Sequence, residues 1–252
     1  MQRNTFLTLI LLASTTAAAA DLPKGEVLMD RFVELTGGVA SYKGLKSQSI
    51  KSEIEFVGQG LKGTTTTLSV HPGRTNTTME LTGLGKIHSG GWDGVVWESS
   101  AMQGQRLVKG AERSMMLRLN DIRAAADWRK YYESATTEAE ETVEGQACYR
   151  VVSKPKDAGK PETSWFSKAT GLMVKTEFTL VSAMGELPIS ILVSDYRKVG
   201  AFLLPHRSIQ SMGPQKMDNK IIELLINPEI EEAKLEPPAD IKALIAKEQK
   251  TN

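Results

Sequence analysis

The feature that most constrains this chain is an alternation of apolar and polar residues with a period of two. In the first such run, charged residues fill the positions between the apolar or small residues Ile50, Ser52, Ile54 and Phe56. The alternation returns over 172–180 and again over 187–193. Because successive side chains of a strand point to opposite faces, each run predicts a strand with one buried and one solvent-exposed face.

Turn signals separate these runs at intervals that suit hairpins. Each contains glycine, and they lie at 58–63, 71–73, 83–85, 90–94, 170–171 and 212–214. A polar stretch at 154–161 predicts one longer hairpin loop. This spacing favours consecutive antiparallel hairpins over βαβ units, so we predict a mainly β (α+β) fold built on an antiparallel sheet.

Three segments have helical spacing instead. Residues 24–36 predict a first amphipathic helix, which a Gly-Gly pair ends. Residues 111–132 predict a middle helix, because apolar residues step by four, three and four at Met115, Leu119, Ile122 and Ala126. Residues 238–247 predict a short closing helix with a proline suited to its first turn.

The first residues have the order of a secretory signal peptide. A polar start carrying Arg3 precedes a short apolar stretch and a run of alanines. Ala18 and Ala20 supply the small residues that signal peptidase requires, so we expect cleavage after Ala20. The apolar stretch is far shorter than the roughly 20 residues that span a bilayer. We therefore expect removal of 1–20 and a single domain over 21–252, in the periplasm or secreted.

Charge and cysteine content exclude several classes of protein. The chain has 31 Lys and Arg against 30 Asp and Glu, and losing Arg3 with the signal leaves it formally neutral. A nucleic-acid partner needs a basic surplus on one face, so none is expected. The one cysteine, Cys148, cannot form an internal disulfide and lies far from the cleavage site, which excludes a lipid anchor there. No later segment is apolar enough to cross a membrane, so we do not expect an integral membrane protein.

Motifs that resemble catalytic or cofactor sites lack the required context. Gly58, Gly60 and Gly63 satisfy G-x-G-x-x-G, but a threonine-rich β segment follows where a dinucleotide site needs a helix. The three histidines lack metal-ligand spacing, and Ser89 lacks the first glycine of a nucleophile elbow. Cys148 is typical of a buried small residue. We therefore expect no enzyme activity, metal or cofactor.

Four short motifs and the order of the elements form a recognisable set. The motifs are Gly-Trp-Asp-Gly-Val-Val-Trp at 91–97, Gly-Gln-Ala-Cys-Tyr-Arg-Val at 145–151, Trp-Phe-Ser-Lys-Ala-Thr-Gly-Leu at 165–172, and Tyr-Arg-Lys-Val-Gly at 196–200 followed by Leu-Pro, Asn227 and a Pro-Pro pair. Together they resemble the periplasmic outer-membrane lipoprotein carrier superfamily, whose members sort lipoproteins or sense envelope stress. The resemblance implies a strongly curved antiparallel sheet, an incomplete barrel. Its concave apolar face would be covered by helices and would receive acyl chains. The helices expected to cover the incomplete barrel are an N-terminal helix, a middle lid helix and a short C-terminal helix.

The residues support a curved sheet independently. Two or three helices cannot form a full second layer over one apolar sheet face, so we expect curvature around a helix. We hypothesise a carrier that holds a lipid, an acyl chain or a lipidated protein in the concave face. The candidate site residues are Ile54, Phe56, Met115, Leu119, Ile122, Val174, Phe178, Ile189, Ile191 and Leu224. The alternative is a non-enzymatic protein-interaction or envelope-sensor module whose core is filled by its own side chains.

Overall fold

The computed structural model describes residues 21–101, 104–157, 159–182 and 185–250; the expected signal peptide at 1–20 lies outside them. The helices of the described residues are α1 (Gly25–Thr36), α2 (Gly38–Gly44), α3 (Gly110–Leu119), α4 (Trp128–Tyr131) and α5 (Ala239–Gln249). Their strands are β1 (Ser47–Phe56), β2 (Leu61–Val70), β3 (Arg74–Leu81), β4 (Gly85–Trp92), β5 (Val95–Ser100), β6 (Gly104–Val108), β7 (Tyr132–Val143), β8 (Gln146–Pro155), β9 (Glu162–Ser167), β10 (Met173–Ser182), β11 (Gly185–Val199), β12 (Phe202–Met212) and β13 (Gln215–Ile226). A short 3-10 turn spans Glu232–Lys234.

One antiparallel sheet contains every described strand. Its order is β6-β5-β4-β3-β2-β1-β13-β12-β11-β10-β9-β8-β7. Neighbouring strands are therefore consecutive in the chain except where β1 meets β13, and the segment with α3 and α4 joins the two edge strands. The predicted antiparallel hairpins are confirmed, including the strands expected from the three alternating runs.

The sheet is strongly curved and does not close into a barrel. Helix α3 contacts both β5 and β10, which lie eight places apart in the strand order. In a flat sheet these strands would be about 38 Å apart, since neighbours are spaced by about 4.8 Å. A helix of ten residues is only about 15 Å long, so the sheet must curl around it. The expected incomplete barrel is confirmed.

The main core lies between one face of the sheet and helices α1, α2 and α4. We call this the inner face. Leu28 and Val33 of α1 are buried there with Tyr42 of α2. The Tyr42 ring meets Phe202 edge-on at 5.2 Å, and Phe166 of β9 is 1% exposed. Helix α1 thus fills one end of the curved sheet, as the sequence predicts for 24–36.

The C-terminal segment covers the opposite, outer face. Leu107 of β6 borders α5, whereas its neighbour Arg106 bonds to α3. Adjacent strand residues point to opposite faces, so α3 and α5 lie on different sides. Ile241 of α5 is completely buried, and so is Trp97. None of the helices in the described ranges combines the length and apolar character needed to cross a membrane.

The middle helix differs from its prediction. Helix α3 stops at Leu119, and turns follow until α4 adds one further helical turn. The buried residues of α3 are Glu112, Met115 and Arg118, while Leu119 is 52% exposed. The apolar spacing placed Met115 inward correctly but misplaced Leu119, because the other two inward side chains of α3 are charged and form ion pairs.

Candidate functional site

An apolar patch occupies the inner face of β1, β10, β11, β12 and β13. Phe56 is opposite Met217, and Ile189 lies between Met212 on one side and Phe178 on the other. The strand registers place the remaining members on the same face. The apolar patch consists of Phe56, Phe178, Leu180, Leu187, Ile189, Ile191, Met212 and Met217.

The apolar patch is less buried than the main core. Ile189 is 4% exposed, but Leu187 is 38% exposed, and Phe56, Phe178 and Ile191 are partly exposed. None of the patch residues packs into the cluster beneath α1. Apolar side chains that keep contact with water in a concave face gain free energy when a ligand covers them. The geometry therefore suits an apolar ligand.

An open cavity of about 420 Å³ lies over β9 to β12. It is lined by Thr163, Glu177, Pro188 and Ser211. The strand registers place these side chains on the outer face, opposite Phe178 and Ile189, so this cavity is not part of the apolar patch.

The N-terminal end of α3 is fixed to the edge of the sheet by an arginine. Arg106 of β6 donates to Glu112 of α3, with 2.9 Å between Nη1 and Oε2. It also donates from Nε to Glu98 of β5 at 2.9 Å. The bond with Glu112 is the main reason that the pKa of Arg106 rises above its ordinary value, against the cost of burial. Glu112 is only 6% exposed, and this pairing compensates its buried charge.

The other end of α3 is fixed to the far side of the sheet. Arg118, 3% exposed, donates to Glu162 of β9 and to Asp157, the latter at 2.9 Å. Tyr132 donates its hydroxyl to the same Glu162. Burial raises the pKa of Tyr132, and the Glu162 carboxylate raises it further. Thr163, the residue after Glu162, pairs with Glu177 of β10, so this end of the helix lies beside Phe178 of the apolar patch.

Six of the predicted site residues share the inner face of the sheet. Two of them, Ile54 and Ile189, are buried at 3% and 4% exposure. Leu224 pairs with Ile50, further along β13 from the patch. These six are Ile54, Phe56, Phe178, Ile189, Ile191 and Leu224.

The other four predicted site residues are not brought together. Met115 is buried on the inward side of α3, and Ile122 packs against the main core. Leu119 is exposed. Val174 lies in a separate cluster with Trp165 and Cys148, beside an irregularity in the pairing of β10 with β9. The irregularity interrupts the alternation, so Val174 packs away from Phe178.

Several residues of the site were absent from the prediction. Leu180 and Leu187 belong to the alternating runs, so the sequence held a signal for both. Met212 lies within a turn signal, which hides its place on a strand. Arg118 and Glu162 carry no detectable signal, because charged residues are usually exposed and only their mutual pairing explains their burial.

Cys148 agrees with its expected role. It has no exposed surface, and burial raises the pKa of its thiol. A buried thiol with a raised pKa has little thiolate, the reactive form.

Comparisons with known proteins place the fold. No protein-family model and no curated protein matches the sequence. Among solved structures, the chain is similar to a DUF1329 family protein from Desulfovibrio piger, with a TM-score of 0.56 and 15% identity over 85% of this chain and 98% of that one. It is also similar to a LolA superfamily protein from Nitrosomonas europaea, with a TM-score of 0.54 and 10% identity over 86% and 99% of the two chains. The chain therefore has a lipoprotein-sorting-like fold, as the resemblance of its motifs implied.

Proposed function

We propose that this protein is an exported carrier, acting in the periplasm or after secretion, that holds a lipid, an acyl chain or a lipidated protein on its inner face. The observation that carries the proposal is the apolar patch, which remains partly exposed although α1 and α3 occupy the same face. The fold is compatible with this task. It does not by itself identify a ligand.

The apolar patch offers enough free energy for reversible binding. An acyl chain that hides about 300 Å² of apolar surface would gain about 7.5 kcal/mol, at about 25 cal/mol per Å². Ordering the ligand and losing its translational freedom cost a large part of this gain. The free energy that remains is small enough for the ligand to be loaded and released.

Helix α3 is the proposed gate of the site. Helix α3 contacts β10, which carries Phe178 and Leu180. Among its inward side chains, Met115 is apolar and Glu112 and Arg118 are charged. An apolar ligand therefore needs to replace only the contacts that Met115 makes with the sheet. Methionine is flexible and adapts to varied apolar partners.

Binding of a fluorescent fatty-acid probe tests the proposal. Ile191→Asp places a charge within the apolar patch and should lower the probe affinity at least about tenfold, since burying an unpaired charge is costly. Ile222→Asp is the matched control, because Ile222 is 59% exposed and outside the patch. It should leave the affinity unchanged. Native mass spectrometry of freshly purified protein, followed by organic extraction, should reveal the bound lipid.

The protein-interaction alternative predicts a different result. If the wild-type chain neither carries lipid nor binds the probe, the carrier proposal is wrong and the curved sheet serves a protein partner in the envelope. Equal loss of affinity in Ile191→Asp and Ile222→Asp would also contradict binding at the apolar patch.

Export is tested separately. N-terminal sequencing of the exported protein should give a mature chain that starts at Asp21. Recovery of the intact Met1 start in a membrane fraction would contradict cleavage.

A further inference from the structure

Three hairpin turns lie side by side at one end of the sheet. They join β1 to β2 (57–60), β3 to β4 (82–84) and β12 to β13 (213–214), and we call them the rim. The amide of Val57 donates to the carbonyl of Lys216 at 2.9 Å. The amide of Thr82 donates to the carbonyl of Lys62, also at 2.9 Å. These bonds connect the three turns into one continuous edge.

The rim presents apolar side chains to solvent. Val57 is 51% exposed and Leu84 is 56% exposed, although both belong to turns, where polar residues are usual. Gly58 and Gly83 have φ angles of 78° and 80°, a conformation that favours glycine. A Cβ atom at either glycine would meet nothing within 4 Å. The turns therefore project from the body of the protein.

The charge of the two hairpins that carry Val57 and Leu84 is balanced. Lys62 lies 3.5 Å from Glu55 across β1 and β2, and Lys86 lies 3.6 Å from Glu80 across β3 and β4. All four side chains are about half exposed or more. Binding through these hairpins must therefore come mainly from the apolar side chains.

We propose that the rim docks on the surface of a phospholipid bilayer, with Val57 and Leu84 inserted at the acyl boundary. Adjacent hairpins are two strands apart, about 10 Å, so the two side chains project separately. A protein interface needs a packed surface of about 800 Å² on each partner, whereas fluid hydrocarbon accommodates separate side chains. Lysine stems can lie along the apolar surface while their ammonium groups meet lipid phosphates.

The rim is also continuous with the apolar patch. Phe56, a patch residue, directly precedes Val57. A bilayer in contact with the rim would therefore meet the open end of the inner face. Docking does not require that the inner face binds lipid, so the two proposals can fail independently.

Vesicle flotation of the mature full-length chain tests the rim proposal. Vesicles of phosphatidylcholine alone, and of phosphatidylcholine with phosphatidylglycerol at about three to one, should both carry the protein upward, with little effect of salt. Val57→Asp and Leu84→Asp should each lower the bound fraction at least about fivefold, because each removes the transfer of a half-exposed apolar side chain and adds a charge. Ile222→Asp, on β13 away from the rim, should bind like the wild type.

Folding of the variants is checked by thermal unfolding. A doubly substituted chain with Val57→Ser and Leu84→Ser provides an uncharged version and should show the same loss of flotation. The proposal is overturned if the wild type does not float, or if Ile222→Asp reduces flotation as much as the rim substitutions. Rim variants that lose flotation but still bind the fatty-acid probe would support docking as a separate property.

Discussion

Replacing Arg118 by methionine tests whether ion pairs hold α3 against the sheet. Arg118 is 3% exposed, and its guanidinium pairs with Glu162 and Asp157. Removing one partner of a buried ion pair costs about 3–5 kcal/mol, because it leaves an uncompensated charge. The Asp157 side chain is 27% exposed and can be hydrated, and Glu162 keeps the bond from Tyr132. We therefore expect a loss near the lower limit, about 3 kcal/mol.

Urea denaturation and hydrogen exchange measure this effect. Arg118→Met should lower the free energy of unfolding by that amount, and the amides of α3 should exchange faster than those of α1. Adding Glu162→Leu removes the uncompensated carboxylate and should recover at least about 1 kcal/mol. Arg118→Lys should be intermediate, since an ammonium cannot make both bonds with the same geometry.

The reasoning fails if Arg118→Met costs less than about 1 kcal/mol and α3 amides exchange as in the wild type. That result would mean that Met115 and the connections of the chain hold α3 without the ion pairs.

Further predictions concern α3, acid stability and α5. In urea denaturation, Met115→Ala should lower the free energy of unfolding by about 2–4 kcal/mol. Leu119→Ala should lower it by less than about 0.5 kcal/mol. Equal losses in the two variants would contradict the exposed position of Leu119. Burial opposes the charge of Asp121, but hydrogen bonds led by the one from Tyr131 prevail and lower its pKa below 3.8. The Asp121 carboxylate therefore contributes fully to stability above pH 3.8, and this contribution is lost as the pH falls through its lower pKa in the folded state. Unfolding measured against pH should show this loss in the wild type and a smaller one in Asp121→Asn; identical curves would contradict it. Ile241→Ala, at a side chain with no exposed surface, should cost about 2–5 kcal/mol and make α5 accessible to protease, whereas an unchanged digestion pattern would show that α5 is held by other contacts.

Much of the fold could be predicted because its determinants are local. The alternation around Ile54 fixes which face of β1 is buried, and the glycines at 58–63 fix a hairpin after it. Helix α1 was predicted within one residue at its start, since its apolar side and the following Gly37 act within a few turns of helix. These signals do not depend on distant parts of the chain.

The parts of the site that were missed depend on distant residues. Glu112 points inward because Arg106 is there to meet it, and Arg118 points inward because Glu162 lies on another strand. No local pattern reports such pairings. Val174 faces away from the patch because the pairing of β10 with β9 shifts next to it, and a shift of one residue moves a side chain to the other face.

The position of α3 links the topology to the proposed function. Because β6 and β7 are the two edges of the sheet, the segment between them must pass from one side of the curve to the other, and α3 does so over the inner face. It is held mainly at its ends, by Arg106 with Glu112 and by Arg118 with Glu162. If α3 moves away, these charges regain hydration, which offsets much of the lost attraction. An apolar inward side would gain nothing from hydration when the helix moved away. A ligand on the apolar patch could cover the apolar surface that Met115 uncovers. We infer that the charged inward side of α3 would allow this helix to act as the proposed gate.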